Sequence, residues 1–401
     1  MSSLLEEPKI KTAEEFFEGD ELCVVVYQKY ALKDRAGNVL ETSPEQTIDR
    51  VMTALASVDE DPVGARGKFI EACAGFQGVV PQGSVLFGAG NSHHVVSLSN
   101  CFCIDPPQDS VGAIFRTAEQ SAQISKRRGG VGFCLSKLRP YGASTNNSSL
   151  TSTGAAGWAN FFSDSGRAIG QGGRRAALML TLDIKHPDAA LWATMKKDLT
   201  KVTGANVSLK ISDEFMKAVE ADGDFIQQWP VDSVIPKMTK TIRARTLWNV
   251  ICQSAWEMAE PGLLMWDNIT KNLPADYYKN FKTTAVNPCA ELPLSAYDSC
   301  RLISMNIAHY VEQPFSKESV FDYDKFREAV RIGMHMSDNL VALELQHVQQ
   351  IIDFADTPSE KTLWRRIYEA CEQGRRTGLG THGLADTLAK LGWRYDSERA
   401  L

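Results

Sequence analysis

Hydrophobic and polar positions follow one pattern in the first part of this chain and another after about residue 83. Two amphipathic helical patterns begin at Ser43-Pro44 and Asp61-Pro62, where a capping side chain precedes a proline in the first helical turn. The β-branched run over residues 21–32 predicts a strand. Residues 1–82 are therefore predicted to form a mostly helical N-terminal domain that caps the rest of the chain.

After residue 83, short apolar segments alternate with amphipathic helices across glycine-rich turns, which favours an α/β fold. Helices are predicted over residues 110–127, 154–169, 188–197, 213–221, 241–259, 323–345, 360–372 and 382–391. Strands are predicted over residues 95–104, 131–135, 176–183, 205–211, 262–266 and 301–309. One α/β domain is therefore expected over residues 83–401.

Composition narrows the class of protein. The chain has 401 residues, of which 43% are hydrophobic and 23% charged, a balance typical of folded globular proteins. Its net charge of −6 argues against capture of DNA or RNA, which needs a clustered basic face. No apolar run approaches the roughly 18 residues of a membrane span, and the start lacks signal-peptide features, so a cytoplasmic location is expected.

The cysteines and histidines limit the chemistry further. Nine cysteines form an odd, scattered set without CxxC pairs, so they are expected to be thiols in a reducing compartment. The seven histidines have no metal-ligand spacing, and no protein-bound metal is expected. Most of the thiols are expected to be small core residues, and context must single out the reactive ones.

One cysteine lies in an unusual setting, the run Asn287-Pro288-Cys289-Ala290-Glu291. In an extended loop, alternate residues face the same way, so Asn287, Cys289 and Glu291 can converge on one ligand. This arrangement combines a thiol, a hydrogen-bonding amide and a potential general base. A buried cysteine in a proline-containing loop is the alternative explanation.

Two further cysteines stand in polar runs, Cys300 in YDSCR and Cys101 in SNCFC. Thiols on neighbouring strands can form a disulfide when their Cα atoms come within about 6 Å. Cys103 shares a strand face with Cys101, so the pairing stays open. Glycine and arginine also cluster at residues 127–132 and 170–175, where the backbone can approach a phosphate, although neither run is a P-loop or Rossmann motif.

Together these segments resemble the catalytic large subunit of ribonucleotide reductases, and the resemblance covers nearly the whole chain. It is most similar to the adenosylcobalamin-dependent class II enzymes. The matching segments are SNCF, GGVGF, LRPYGA, QGGRRAA, NPCAELPLSAYDSCRL and GRRTGLGTHGLAD. The resemblance implies a ten-stranded α/β barrel that is incomplete in this chain. Either a separate C-terminal reductase fragment is expected to supply the rest, or the sequence is expected to be incomplete.

The resemblance also implies roles for five residues. A thiyl radical at Cys289 abstracts the 3′-hydrogen of the substrate, Glu291 accepts the 3′-hydroxyl proton, and Asn287 holds the ribose. Cys101 and Cys300 supply the reducing equivalents and finish as a disulfide, which a thioredoxin-like reductant reduces again. The chain is thus expected to reduce ribonucleoside di- or triphosphates to 2′-deoxyribonucleotides.

Binding residues are implied in the same way. Asn100 and Gly130, with Asn287 and Glu291, are expected to contact the substrate. A deoxynucleotide or ATP is expected as allosteric effector at the interface of a homodimer, held by residues Asp109, Ser110, Lys126 and Arg139.

Two other functions are compatible with these residues. The chain could be a class I α subunit that receives its radical from a separate subunit. It could also be a non-catalytic nucleotide-binding fragment of a split reductase, because the phosphate-binding loop of the family lies beyond the segments matched here.

Overall fold

A computed structural model describes residues 11–170 and 176–401. The chain forms two compact units: the first holds the chain up to Asn100 with Cys300–Ala355 and Cys371–Leu401, and the second holds Cys101–Ser299 and Asp356–Ala370. The division predicted at residues 82 and 83 stays a prediction, because these units are defined by contacts and not by independent folding. The glycine and arginine cluster at residues 170–175 lies, apart from Gly170, outside the described residues.

Helices occur in both units. In chain order they are α1 Ala13–Phe16, α2 Glu21–Tyr27, α3 Pro44–Ala56, α4 Pro62–Cys73, α5 Gly83–Gly88, α6 Val111–Ser125, α7 Gly154–Arg167, α8 Ala189–Thr194, α9 Asp213–Glu220, α10 Ala244–Met258, α11 Trp266–Asn272, α12 Tyr323–Phe354, α13 Pro358–Gly374 and α14 Leu384–Lys390.

The strands are mostly short. They are β1 Val79–Pro81, β2 Cys101–Cys103, β3 Gly130–Cys134, β4 Leu178–Asp183, β5 Asn206–Ile211, β6 Asp224–Trp229, β7 Met238–Arg243, β8 Gly262–Met265, β9 Thr283–Val286, β10 Pro293–Ser295, β11 Ser299–Cys300, β12 Leu302–Asn306, β13 Val311–Glu312, β14 Val320–Phe321 and β15 Gly378–His382.

The two helix starts predicted in the first unit are confirmed. The Ser43 hydroxyl accepts a hydrogen bond from the Glu45 N–H at 3.2 Å, and the Gln46 side chain accepts one from the Ser43 N–H, which together cap α3. Asp61 caps α4 by accepting from the Gly64 N–H at 3.1 Å. Proline follows each cap at the start of its helix, where its missing N–H costs nothing.

The strand predicted over residues 21–32 is wrong, because this segment contains helix α2. Asp20 caps it by accepting from the Cys23 N–H at 3.0 Å. Val24 and Tyr27, one helical turn apart, then pack with Ala13 and Ala31 in a small buried cluster. The cap and this apolar face together outweigh the strand preference of the valines.

The strand predicted over residues 95–104 is confirmed only at Cys101–Cys103. The helix predicted over 241–259 starts later, at Ala244, because β7 pairs with β6 in an antiparallel hairpin in which Trp229 faces Met238. A long connection joins these two strands, so the sequence lacks the short turn motif that reveals most hairpins.

The second unit is built on parallel strands in the order β2, β3, β4, β5 and β8, with helices in the connections. This confirms the predicted α/β class. At the β2 edge, the peptide groups of Tyr297 and Asp298 pair with Cys103 through hydrogen bonds of 2.8 and 3.1 Å. The antiparallel strands β9 and β10 pack against one face of the sheet.

The first unit contains a three-stranded sheet in the order β1, β12 and β15. Its core joins α3, α4 and the long helix α12 through fully buried side chains that include Met52, Phe69, Met336 and Leu340. In neither unit does the described part of the chain contain a helix long and apolar enough to cross a membrane.

Candidate active site

The cysteine loop, residues 287–292, connects β9 to β10. Asn287 organises it: its N–H donates to the Leu292 carbonyl at 3.1 Å, its side-chain oxygen accepts from the Leu292 N–H at 3.0 Å, and its carbonyl accepts from the Ala290 N–H at 3.0 Å. Ala290 takes a left-handed conformation with φ of +68°. Asn287 thus closes a tight loop that has Cys289 near its tip.

Two glycines of β3 let this loop lie directly on the sheet. A Cβ atom added at Gly132 would overlap the carbonyl oxygen of Val286, and one added at Gly130 would lie 2.8 Å from Cγ of Pro288. Real Cβ contacts are never so short, so only glycine allows this approach. In the glycine and arginine cluster at residues 127–132, Gly130 and Gly132 thus give room to the cysteine loop and its base.

Two side chains of β5 donate hydrogen bonds to the cysteine loop and to strand β9, which leads into it. The Asn206 amide nitrogen donates to the Pro288 carbonyl at 2.9 Å, and the Lys210 ammonium donates to the Thr284 carbonyl at 2.6 Å. The Lys210 nitrogen also lies 3.7 Å from the centre of the Trp266 ring, a cation–π contact. The sequence analysis missed both residues, although Asn206, Ser208 and Lys210 alternate along the strand and mark a polar face.

Cys289 itself is exposed, yet partial burial raises the pKa of its thiol. The nearby Cys101 and then Glu291 raise this pKa further, because a negative charge on either disfavours a thiolate at Cys289. The thiol therefore stays protonated at neutral pH. A protonated S–H group suits hydrogen-atom transfer, whereas nucleophilic catalysis needs the thiolate.

Asn287 and Glu291 differ in environment. Asn287 is fully buried, and among the described residues its side-chain nitrogen has no hydrogen-bond partner. An unsatisfied buried donor is costly, so this N–H group is available for a ligand in the loop region. Glu291 is exposed and close enough to Cys289 to affect the charge of its thiol.

Cys101 and Cys103 both lie on β2 but have different neighbours. Cys101 is the register partner of Gly130, under the cysteine loop, and interacts electrostatically with Cys289. Cys103 is fully buried in an apolar cluster with Ala285 and Leu294 at the base of the loop. These neighbours favour Cys101 over Cys103 as the thiol that takes part in chemistry at Cys289.

Cys300 and Asn100 belong to the first unit. Cys300 is buried, and its carbonyl accepts a hydrogen bond from the Asn100 N–H at 3.0 Å. The Asn100 side-chain oxygen accepts from the Ser84 N–H at 2.8 Å, at the start of α5. The pairing of Cys101 with Cys300 and the contact of Asn100 with substrate stay predictions.

Three of the four predicted effector residues meet at one cavity of the second unit. The cavity has a volume of about 350 Å³, and Asp109, Ser110, Arg139 and Trp158 are among its lining residues. The Asp109 carboxylate accepts from the Arg139 Nε at 2.8 Å and from the Arg139 N–H at 3.0 Å. Ser110 caps α6 by accepting from the Ala113 N–H.

Lys126, the fourth predicted effector residue, lies at the other end of α6. The helix has 15 residues, so about 22 Å separates its two ends. The Lys126 ammonium forms an ion pair with Glu360 at 2.9 Å. Within one chain, this lysine and the cavity are therefore at separate places.

Comparison with known proteins identifies the family to which this fold belongs. The family model for the barrel domain of ribonucleotide reductase matches residues 99–401, so the chain belongs to the ribonucleotide reductase family. The parallel sheet and the cysteine loop both lie within the matched residues. The predicted barrel class is confirmed, and the sheet is consistent with an incomplete barrel.

Three curated relatives illustrate the similarity. A vitamin B12-dependent ribonucleoside-diphosphate reductase of Mycobacterium tuberculosis is 28% identical over 94% of this chain and 51% of its own length. One of the same name from Thermoplasma acidophilum is 33% identical over 80% of this chain and 38% of its own length. The ribonucleoside-diphosphate reductase large subunit of Variola virus is 26% identical over 79% and 41%. The chain thus spans about half the length, or less, of these relatives.

Proposed function

We propose that this chain supplies the radical site of an enzyme that reduces ribonucleotides to 2′-deoxyribonucleotides. The observation that carries the proposal is the cysteine loop itself. A protonated, exposed thiol at Cys289 stands between the buried Asn287, whose amide nitrogen has no hydrogen-bond partner in the described part of the chain, and the exposed Glu291, with Cys101 close by. These are the groups that activation of a ribose needs.

The proposed reaction starts with a thiyl radical at Cys289, which takes the 3′-hydrogen of the ribose. Glu291 accepts the 3′-hydroxyl proton while Asn287 donates a hydrogen bond to the sugar. The 2′-hydroxyl leaves as water after taking a proton from Cys101 or Cys300. The other of these two thiols supplies the hydrogen that C2′ gains, so the pair gives up two electrons in all and becomes a disulfide, and Glu291 returns its proton to the 3′-oxygen. Cys289 then returns its hydrogen to C3′, which restores the thiyl radical.

The residues around the loop fit adenosylcobalamin as the source of the radical. When bound, this cofactor supplies an organic radical that removes the thiol hydrogen. Cys289 is the residue of this chain that would meet it, because its side chain is exposed at the loop and keeps its proton at neutral pH. The vitamin B12-dependent names of two relatives support this choice.

The cavity at Asp109, Ser110 and Arg139 supports a second role, the binding of a deoxynucleotide or ATP as effector. A carboxylate suits a ribose hydroxyl, and the arginine suits a phosphate. Lys126 stays a proposed contact of this effector, and a homodimer is the arrangement in which another chain could bring it to the cavity. Gly130 and Asn100 stay proposed substrate contacts.

The remaining partners follow from the same reaction. The substrate is a ribonucleoside di- or triphosphate, and a thioredoxin-like protein reduces the disulfide after each turnover. A C-terminal reductase fragment supplies the other part of the barrel, and the enzyme works in the cytoplasm. The relatives are about twice as long as this chain or longer, and the proposed fragment corresponds to the part of them that this chain does not match.

The decisive experiment replaces Cys289 in the complete enzyme that contains this chain. Cys289→Ser is expected to abolish ribonucleotide reduction while substrate still binds, and Cys252→Ser, at another exposed cysteine, is expected to retain activity. Deoxynucleotide formation is measured by chromatography with adenosylcobalamin as the added cofactor. Multiple turnovers by Cys289→Ser would exclude the proposal. Activity only after addition of a radical-generating subunit would favour a class I enzyme.

A further inference from the structure

The first unit contains a fully buried carboxylate that the reaction does not use. Glu344, in α12, has no exposed surface. It accepts hydrogen bonds from the Ser97 hydroxyl, from the Leu98 N–H at 2.6 Å and from the Ser99 hydroxyl at 2.7 Å. Three donors on consecutive residues thus converge on one side chain, and they belong to the segment that leads into Asn100 and Cys101.

A buried arginine reaches the same segment from the other side. Arg301 directly follows Cys300 and is 1% exposed. Its Nη1 donates to the Ser99 hydroxyl at 3.3 Å and lies 3.0 Å from the Cys371 sulfur. Its Nε and Nη2 donate to the Arg376 carbonyl at 3.1 and 2.9 Å. The guanidinium is therefore fixed in one orientation.

The Ser99 hydroxyl links the two charges, because it donates to Glu344 and accepts from Arg301. Burying two charges is costly, and apolar residues of similar volume often stabilise a core as well or better. Stability alone therefore does not account for this network. The network also fixes the local geometry, because hydrogen bonds to charged groups are short and allow little variation.

The geometry that the network fixes is that of the two chain segments next to the proposed reducing thiols. The segment held by Glu344 ends at Asn100, whose N–H donates to the Cys300 carbonyl at 3.0 Å. Cys101 is the next residue along the chain, and Arg301 is the residue after Cys300. Each thiol is thus one or two residues away from a member of the network.

We propose that Glu344, Ser99 and Arg301 are positioning residues for the reducing pair. They fix the backbone of the first unit at Asn100, the residue before Cys101, and at Cys300, and they thereby favour formation of the disulfide. This inference rests on the proposed function, which assigns the pair. None of the three residues contacts the substrate in this scheme, and their effect is on the ease of disulfide formation.

The test measures that effect directly, without cofactor or nucleotide. The complete enzyme is equilibrated with mixtures of reduced and oxidised dithiothreitol, where the oxidised reagent accepts two electrons and two protons from the two thiols. The fraction of the Cys101–Cys300 disulfide is measured by mass spectrometry after rapid alkylation. Ser99→Ala is expected to lower the equilibrium constant for the disulfide about tenfold, because the bridge between the two charges is lost.

Two further variants are measured beside Ser99→Ala. Glu344→Gln keeps an acceptor and the side-chain shape, so a smaller decrease of about threefold is expected, with the fold retained. Ser337→Ala removes another buried hydroxyl of α12, which donates only within its own helix, to the Gly333 carbonyl. This control is expected to match the wild-type constant within twofold.

An unchanged constant in both Ser99→Ala and Glu344→Gln would overturn the inference. An equal decrease in Ser337→Ala would do the same, because it would assign the effect to general loss of stability. If the wild-type enzyme reduces ribonucleotides but forms no Cys101–Cys300 disulfide, the pair and its network are both wrong. If the disulfide responds as expected but no ribonucleotide is reduced, only the proposed function fails.

Discussion

The side-chain amide of Asn206 donates a 2.9 Å hydrogen bond to the carbonyl oxygen of Pro288, the peptide group that leads into Cys289. The other hydrogen bonds described within the cysteine loop join Asn287 to Ala290 and Leu292. Asn206 therefore ties the loop to the parallel sheet at the residue before the thiol. A change at this position should move the thiol without disturbing the core.

Asn206→Ala is expected to lower kcat by about 10- to 100-fold, because a displacement of about 1 Å at a reacting group can have that effect. Nucleotide dissociation constants should change less than threefold, since Asn206 holds the loop and not the ligand in the proposed scheme. Steady-state kinetics and calorimetric binding measure the two quantities. A large loss of binding with normal kcat would contradict this role.

Gly132→Ala tests the close approach of loop and sheet. The added methyl would overlap the Val286 carbonyl oxygen, so the free energy of unfolding is expected to fall by at least about 3 kcal/mol. Gly166→Ala is the matched control in α7, where the nearest atom to the new Cβ lies at 3.9 Å. This change should stabilise the helix by about 0.5–1 kcal/mol. Denaturant unfolding measures the free energy of unfolding of both variants. If Gly132→Ala were as stable as the wild type, the cysteine loop would be able to move away from the sheet.

The raised pKa of Cys289 predicts slow alkylation at neutral pH. A raised pKa means that less thiolate is present at a given pH, so the rate with iodoacetamide should reach half its maximum at a higher pH than for a simple thiol peptide. Replacing the other exposed cysteines, Cys23 and Cys252, by serine isolates this thiol. In that background, Glu291→Gln is expected to shift the profile to lower pH, because it removes a nearby negative charge. No shift would mean that the carboxylate does not face the sulfur.

The two thiols of β2 should respond differently to replacement. Cys101→Ser is expected to block completion of turnover while Cys289 still exchanges the substrate 3′-hydrogen, since only the supply of electrons is lost. Cys103→Ser should retain most turnover and mainly reduce stability, because its side chain is buried among apolar neighbours. Isotope exchange and product formation distinguish the two steps. The opposite result would mean that Cys103 is the reducing thiol.

Effector binding should depend on the cavity and much less on the far end of α6. Asp109→Ala is expected to weaken effector binding about tenfold, because it removes the partner that orients Arg139. Lys126→Ala in a monomeric preparation should change the dissociation constant less than twofold, since Glu360 pairs with this lysine away from the cavity. Equilibrium dialysis with a deoxynucleotide measures both. Equal losses would place Lys126 at the effector.

Local signals in the sequence predicted much of this structure. The caps at Ser43 and Asp61 fixed the starts of two helices, and alternation of strand and helix patterns gave the α/β class. The spacing of Asn287, Cys289 and Glu291 indicated a shared site, which stays a prediction. In the described residues the side-chain nitrogen of Asn287 has no hydrogen-bond partner, and Glu291 is close enough to Cys289 to raise the pKa of its thiol.

The features that the sequence could not reveal depend on distant contacts. Asn206 reaches Pro288 across more than eighty residues of chain, and no local pattern records that hydrogen bond. The same holds for Glu344, which lies on an amphipathic helix but accepts from residues far back in the chain. The strand predicted over residues 21–32 was wrong because the packing of helix α2 outweighs the strand preference of its valines.

A thiol that keeps its proton also reacts more slowly with oxidants and metal ions. Peroxides and soft metal ions attack the thiolate, so the same burial and nearby charges that raise the pKa of Cys289 slow its oxidation to sulfenic acid and its capture by zinc or copper. In the proposed radical mechanism, the exposed Cys289 needs such protection. Under that proposal, the setting of the cysteine loop also limits damage to the thiol between turnovers.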